Sequence, residues 1–353
     1  KSADAITKMM FFNNLDARAV RERIDMAQIW EAWREAEAQR RHSFVGFLDW
    51  EARNGREYLY SRKKGVVKSL GGRSPETERI RDAFHAGREE NAIRLARLGA
   101  ELNRQAAVLR ALGLGRLPVP AARILRAIRL AAPGATTRVI GTNALYAYEA
   151  IAGVMLNAAS TATGDIDILV EDRNRLKILA EDHEKPGLMG LIHREVDKSF
   201  RPRGPRDFRL TNDDGYMVEF VRPEPRPIYR DMPGVDPLAE GDIAPAPIGG
   251  LQWLVNAPPV ETVVIDARGF PAPMRAVDPR FWAAHKFWLA EREDRDPQKK
   301  ICDRQQALVV LDLIAARLPQ YSLSEDFTGM LPGALRPLFE AALEREGDPA
   351  RGS

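Results

Sequence analysis

Between residues 16 and 41 the apolar side chains Val20, Ile24, Ala27, Trp30 and Trp33 recur every three or four positions among charges, with Met26 and Ile29 widening the stripe. That period places them on one face of a helix, and packing is the role it predicts. Over 43–50 and 56–61 the pattern changes to alternation, on either side of Asn54-Gly55. Alternation puts every second side chain on one face of a strand, and Asn-Gly accepts the two positive φ angles of a type I′ hairpin turn. Lys63-Lys64-Gly65 turns the chain again, into 66–70. Ser74-Pro75 then opens a second helix, with serine as the cap and proline at the first helical position. This helix runs to about Leu112 on Ile80, Phe84, Ile93, Leu95, Leu98, Leu102, Ala106 and Leu109. The spacing holds no strict heptad, so it reads as a bundle helix and not a coiled coil. Residues 113–120 break it, and 121–132 form a further helix.

From 133 onward the order changes. A short apolar strand at 138–140 leads into Gly141-Thr142, a helix-like run follows from Asn143 to about Ala158, and a second strand carries Asp165 and Asp167. Because strand side chains alternate, these two carboxylates share one face while Ile166 and Ile168 take the other. A turn at a helix N-terminus presents unpaired N–H groups to an anion. Phosphate-binding and cation-binding groups are therefore expected close together. Further on, Asp213-Asp214-Gly215 is a hairpin signal between a strand at 207–211 and the apolar-flanked Glu219. Residues 223–250, rich in Pro and Gly, read as irregular. Strands at 262–265 and 274–277 flank Arg268-Gly269. Asp278-Pro279 and Asp296-Pro297 each repeat the helix-start signal. His193 sits in an apolar segment with no second histidine at metal-ligand spacing, which favours a structural histidine.

Composition bounds the reading. With 353 residues and 44% hydrophobic content, the chain is long enough for two or three domains. It lacks an apolar run of the length that spans a bilayer and a secretory apolar core at its start, so the expectation is a cytoplasmic protein. One cysteine, Cys302, excludes an internal disulfide and a cysteine-cluster zinc site. The net charge of +3 conceals a split. Through Leu130 there are 26 basic and 16 acidic residues, a balance of +10; the remainder has 27 and 34, a balance of −7. A basic arm beside an acidic body points either to a polyanionic partner or to solvated helices with internal ion pairs. Arg56, Lys63 and Lys64 on the hairpin, near Trp50, Tyr58 and Tyr60, and Arg203 in the basic loop 201–206 are the candidate acceptor-binding residues; the competing readings are a hairpin whose aromatics pack on neighbouring helices and, for 201–206, a solvated turn.

Gly141-Thr142, a helix, and Gly164-Asp165-Ile166-Asp167-Ile168 together resemble the DNA polymerase β-like nucleotidyltransferase superfamily, in particular a bacterial single-chain branch of it. The spacing between Gly141-Thr142 and Asp165 is longer than in most relatives. The resemblance implies an α+β fold in which a mixed sheet with flanking helices carries three carboxylates. Here that sheet is preceded by a mainly helical region with a β-hairpin and followed by C-terminal helices. The expected domains are 1–132, with the hairpin at about 43–70, then 133–277 as the catalytic domain and 278–353 as a helical domain. A helix after Val170, at 174–180, is also implied. By the same resemblance Asp165, Asp167 and Glu219 are catalytic and metal-binding, holding two Mg²⁺ or Mn²⁺ ions. Gly141, Thr142, Asn143 and Lys286 contact the nucleotide, and the tract through Arg292, Lys299 or Lys300 and Asp303 faces it.

Two function classes follow. The first is an enzyme that moves a nucleoside monophosphate from an NTP, such as ATP, to a hydroxyl of RNA, protein or a small molecule, releasing pyrophosphate. The second is a nucleic-acid-binding or regulatory protein that keeps the fold without turnover.

Overall fold

The computed structural model describes residues 11–63, 65–131, 137–170, 187–204, 207–224 and 243–347. It opens with β1 (Phe12–Asn14), α1 (Ala17–His42), β2 (Phe47–Arg53), β3 (Arg56–Lys63), β4 (Val66–Gly72), α2 (Pro75–Ala111) and α3 (Val119–Ala131). The central part holds β5 (Thr137–Val139), α4 (Ala144–Ala152), β6 (Val154–Leu156), α5 (Ala158–Thr161), β7 (Asp165–Val170), α6 (Leu188–Glu195), β8 (Arg201–Pro202), β9 (Arg209–Thr211) and β10 (Met217–Pro223). Then come β11 (Ala246–Ile248), α7 (Leu251–Asn256), β12 (Pro259–Ile265), β13 (Pro271–Val277), α8 (Pro279–Glu291), α9 (Pro297–Arg317), α10 (Glu325–Met330) and α11 (Arg336–Gly347). The helix expected at 174–180 and the boundary region 132–136 lie outside the described residues. No described helix is long and apolar enough to cross a membrane.

The chain forms two compact units, one of residues 1–20, 114–267 and 271–353, the other of 21–113 and 268–270. In the smaller unit, Asn54 and Gly55 both adopt positive φ, 51° and 73°, and join β2 to β3 in the expected hairpin, to which β4 adds a third antiparallel strand. Leu48 and Leu59 turn inward and are buried. Ser74 and Thr77 form a reciprocal capping box at the start of α2, satisfying N–H groups the helix leaves free. Along α2, Asn91 donates to the Ala36 carbonyl at 3.0 Å and Gln105 to the Glu22 carbonyl at 2.9 Å, tying α2 to α1.

The larger unit is built on a mixed sheet in the order β12-β13-β5-β7-β10-β9-β8, with β11 alongside β10. β7 and β10 are parallel, as are β13 and β5, whereas β5 runs antiparallel to β7 and β9 runs antiparallel to both β10 and β8. Alternation divides each central strand between two faces. Ile166, Ile168, Val218 and Phe220 join the main core beneath α3 and α4, while Leu169 and Val221 on the opposite face pack with Leu251 and Leu254 of α7. Asp165, Asp167 and Glu219 share the parity of Leu169 and Val221, so they belong to that second face.

One expectation fails. The helix beginning after Gly141-Thr142 ends at Ala152, not near Ala158, because Gly153 takes the left-handed conformation at φ 67° and closes it. The chain then pairs through β6 with β1 and makes the short α5. Buried Glu149 holds this segment, accepting the Leu156 N–H at 2.6 Å and pairing with Arg116. The extra spacing before Asp165 is thus β6 and α5.

Candidate active site

The central strands bring the carboxylates together by register. In the parallel β7–β10 pair, Met217 lies opposite Asp165 and Glu219 opposite Asp167, so partners on adjacent strands share a face. β5 ends beside them, and the Ile140 N–H donates to the Asp167 carbonyl at 3.2 Å. Gly141 follows directly. A Cβ at this position would overlap the Asp167 carboxylate, so only glycine lets that side chain lie against the turn.

Asp165, Asp167, Glu219, Gly141, Thr142 and Lys286 all line one cavity of about 390 Å³, a size in the range of small-ligand sites. Six of the residues singled out from sequence therefore converge. Asn143 does not line it. Its side chain is 1% exposed and donates to the Asp165 carbonyl at 2.5 Å, so it braces β7 instead of capping α4 or reaching a ligand. Among the described residues, the backbone N–H groups of Gly141, Thr142 and Asn143 have no hydrogen-bond acceptor. The candidate acceptor-binding residues are scattered. Arg56 and Lys63 are exposed at opposite ends of β3, about 23 Å apart along a strand of that length. Arg203 is exposed just beyond β8 in the other unit, and Lys64 lies outside the described residues.

A cationic wall faces the carboxylates. Buried Asp303 on α9 receives the Lys286 Nζ at 2.6 Å and the Arg295 guanidinium at 2.8 Å. Lys286, Arg295 and Lys299 all border the cavity. Asp278 and Asp296 cap α8 and α9 as their Asp-Pro signals predict. Trp282 Nε1 donates to the Ile140 carbonyl, fixing α8 to the end of β5. Other residues of the expected tract turn away from the cavity. Arg292 lies over the Trp288 ring at 4.9 Å and pairs with Asp294. His285 packs against Trp253 and Trp288, and burial pushes its imidazole down to about 3, so it is neutral. His193 accepts a structural role, 2.6 Å from the Phe200 carbonyl.

The electrostatics follow from this crowding. Burial, then the neighbouring carboxylates of Asp165 and Glu219, raise the Asp167 carboxyl to about 7, against the opposing pull of Lys286 and Arg295. Glu219 is raised as well, chiefly by burial and then by Asp165, with Arg209 and Lys299 opposing. Thr163 donates its hydroxyl to Asp165. A cation among these groups would relieve the repulsion that raises Asp167. The available acidic donors are all carboxylates, the set that hard divalent ions such as Mg²⁺ prefer. Among the described residues no three acidic, histidine or cysteine side chains close on a point as a ready-made cage, so a bound ion would need oxygens from water or substrate as well. The chemistry of the donor set fits such an open site.

Sequence reasoning missed Arg295 and Gln306. Neither carries a local signal; both reach the cavity because α8 and α9 pack together and against the sheet.

A family model described as "Nucleotidyltransferase" matches residues 120–331, which span β5, the turn, all three carboxylates and the cationic wall. No curated protein and no solved structure matches the chain.

Proposed function

The chain belongs to that nucleotidyltransferase family, and on this premise we propose that it transfers a nucleoside monophosphate from an NTP to an acceptor hydroxyl with divalent-metal assistance. The observation that carries the proposal is that Asp165, Asp167 and Glu219 from the sheet and Lys286, Arg295 and Lys299 from the α8–α9 region line one cavity. The first set is suited to cations and the second to a polyphosphate. Asp165 and Asp167 would hold Mg²⁺ or Mn²⁺ in common, and Glu219 would help hold a second ion. When bound, such ions stabilise charge on the attacking and leaving oxygens of an in-line displacement.

The remaining roles fall to the chain's own groups. The free N–H groups of the Gly141-Thr142 turn and the Thr142 hydroxyl bind terminal phosphates. Lys286, oriented by Asp303, and Arg295 neutralise the polyphosphate as pyrophosphate departs. The acceptor oxygen forms a bond to the α-phosphorus, the bond to the pyrophosphate oxygen breaks, and the acceptor proton passes to Glu219, whose raised affinity for a proton suits it as a base. RNA is the proposed acceptor, on the strength of the +10 balance through Leu130.

Incubation with each α-labelled NTP, Mg²⁺ or Mn²⁺, and total cell RNA and protein tests the proposal. Label should appear in an acceptor with release of pyrophosphate, and Asp167→Asn, which keeps the side-chain shape but removes the charge, should abolish transfer with an intact melting transition. Undiminished transfer by Asp167→Asn at saturating Mg²⁺ would remove this aspartate from the metal site. Binding of NTP without transfer to any acceptor would favour the regulatory reading.

A further inference from the structure

Gln306, on α9 at the cavity edge, is 8% exposed. Its side-chain nitrogen lies 2.9 Å from the Ser160 carbonyl oxygen and 3.3 Å from Thr142 Oγ1. The first contact fixes the amide's orientation. A carbonyl oxygen only accepts, so the atom facing Ser160 is the NH₂ group and not the amide oxygen. The same nitrogen must then donate to Thr142, whose hydroxyl is the acceptor in that contact and keeps its own proton to give. Among the described residues no protein acceptor takes that proton, and Thr142 borders the cavity.

We propose that Gln306 is a positioning residue that fixes the Thr142 hydroxyl as a hydrogen-bond donor into the cavity, matched to an oxyanion of the polyphosphate tail. The inference rests on the reading of this cavity as an NTP site and specifies how the turn recognises its ligand. Phosphate oxygens accept and do not donate, so a hydroxyl free to rotate would spend part of its time with the wrong end presented. By occupying the oxygen of Thr142, the amide removes that alternative. Its second bond, to Ser160, pins α5 to the same helix, so the segment inserted between α4 and β7 helps form the phosphate pocket. The arrangement also explains why glutamine suits this position: glutamate would take the Thr142 proton and confront the Ser160 carbonyl with a second acceptor.

Calorimetric binding of inorganic tripolyphosphate with Mg²⁺ to the full chain tests this, with ATP, GTP, CTP and UTP as companion ligands. Gln306→Met, near in shape but without a donor, should weaken tripolyphosphate by about three- to tenfold, the range for one hydrogen bond. Thr142→Val should weaken it at least as much. In the Thr142→Val background Gln306→Met should have no further effect, since its influence passes through the lost hydroxyl. A merely structural role would instead make the two losses multiply. Gln306→Asn, which keeps the amide but is too short for both bonds, provides the same comparison if the methionine variant does not fold. Wild-type affinity in both Gln306 variants, or losses that multiply, overturns the inference while leaving the NTP reading standing. Wild-type protein that binds neither tripolyphosphate nor any NTP overturns both.

Discussion

Asp167 is a carboxylate placed where charge is costly, and this makes it a sensitive reporter of the site. Its folded value, about 7, stands above its ordinary 3.8, so the folded protein binds that proton more tightly than the unfolded chain does. The associated stability is fully present below about pH 4 and is lost as pH rises through about 7. At about 1.4 kcal/mol per unit, the interval bounds the loss at about 4 kcal/mol, and the solvent contact that Asp167 keeps lowers it. The metal-free wild type should therefore lose stability relative to Asp167→Asn between pH 5 and pH 8, and Mg²⁺ should restore more to the wild type at pH 8 than at pH 5. Chemical denaturation of both proteins, with chelator and with Mg²⁺, measures this. Parallel pH profiles for the two would show that burial does not raise this carboxyl. The residue itself was legible in the sequence, because the alternation that pairs Asp165 with Asp167 is a local property. Gly141 was legible as a turn residue only. That its missing side chain makes room for Asp167 depends on a contact between residues of different strands, which no local pattern records.

At the level of elements, the strands and helix starts that rest on short-range chemistry were readable: the Asn54-Gly55 hairpin, the Ser74 cap, the two Asp-Pro starts, and Glu219 after the Asp-Asp-Gly turn. The end of α4 was not. A glycine within an apolar run is tolerated in helices, and what makes Gly153 a stop is the pairing of β6 with β1, about 140 residues earlier in sequence. Lys286, Lys299 and Asp303 were readable as parts of one tract, but Arg295 and the pairing of Asp303 with Lys286 escaped for the same reason, since these groups meet only when α8 and α9 pack. Asp303 serves two cations, whereas Lys286 has one carboxylate partner. Removing the negative charge leaves buried Lys286 uncompensated, and breaking a buried pair from one side costs about 3–5 kcal/mol. Asp303→Asn should thus destabilise the protein by an amount in that range and more than Lys286→Met, which leaves Asp303 paired with Arg295. Urea denaturation of the two variants decides it. Equal or reversed losses would mean that Arg295, with 30% of its side chain exposed, draws little from the pair and that Asp303 chiefly serves Lys286.

For the whole molecule, the informative quantity is the distribution of charge and not its total of +3. Several basic side chains of the smaller unit are already engaged by acids: Arg62 and Arg53 pair with Glu51, and Arg73 with Glu57 and Glu78. On the three-stranded sheet, Arg56, Lys63 and Lys68 are exposed and have no acidic partner among the described residues, so they are groups of this surface available to phosphates. If this region receives an RNA acceptor, affinity must fall steeply with salt, because each neutralised phosphate releases condensed counterions and adds about 0.7 to the logarithmic slope for a single strand. Replacing Arg56, Lys63 and Lys68 together with Glu should weaken RNA binding and flatten that slope by about 2, while NTP affinity at the carboxylates stays unchanged. Fluorescence anisotropy with a labelled single-stranded RNA across a salt series, beside calorimetry with NTP, reads both quantities. Binding that is absent at low salt, or indifferent to salt and to the triple reversal, would make the smaller unit a packing or oligomerisation module. The acceptor of the nucleotidyl group would then be sought among proteins and small molecules, with the carboxylate site and its test by Asp167→Asn unaffected.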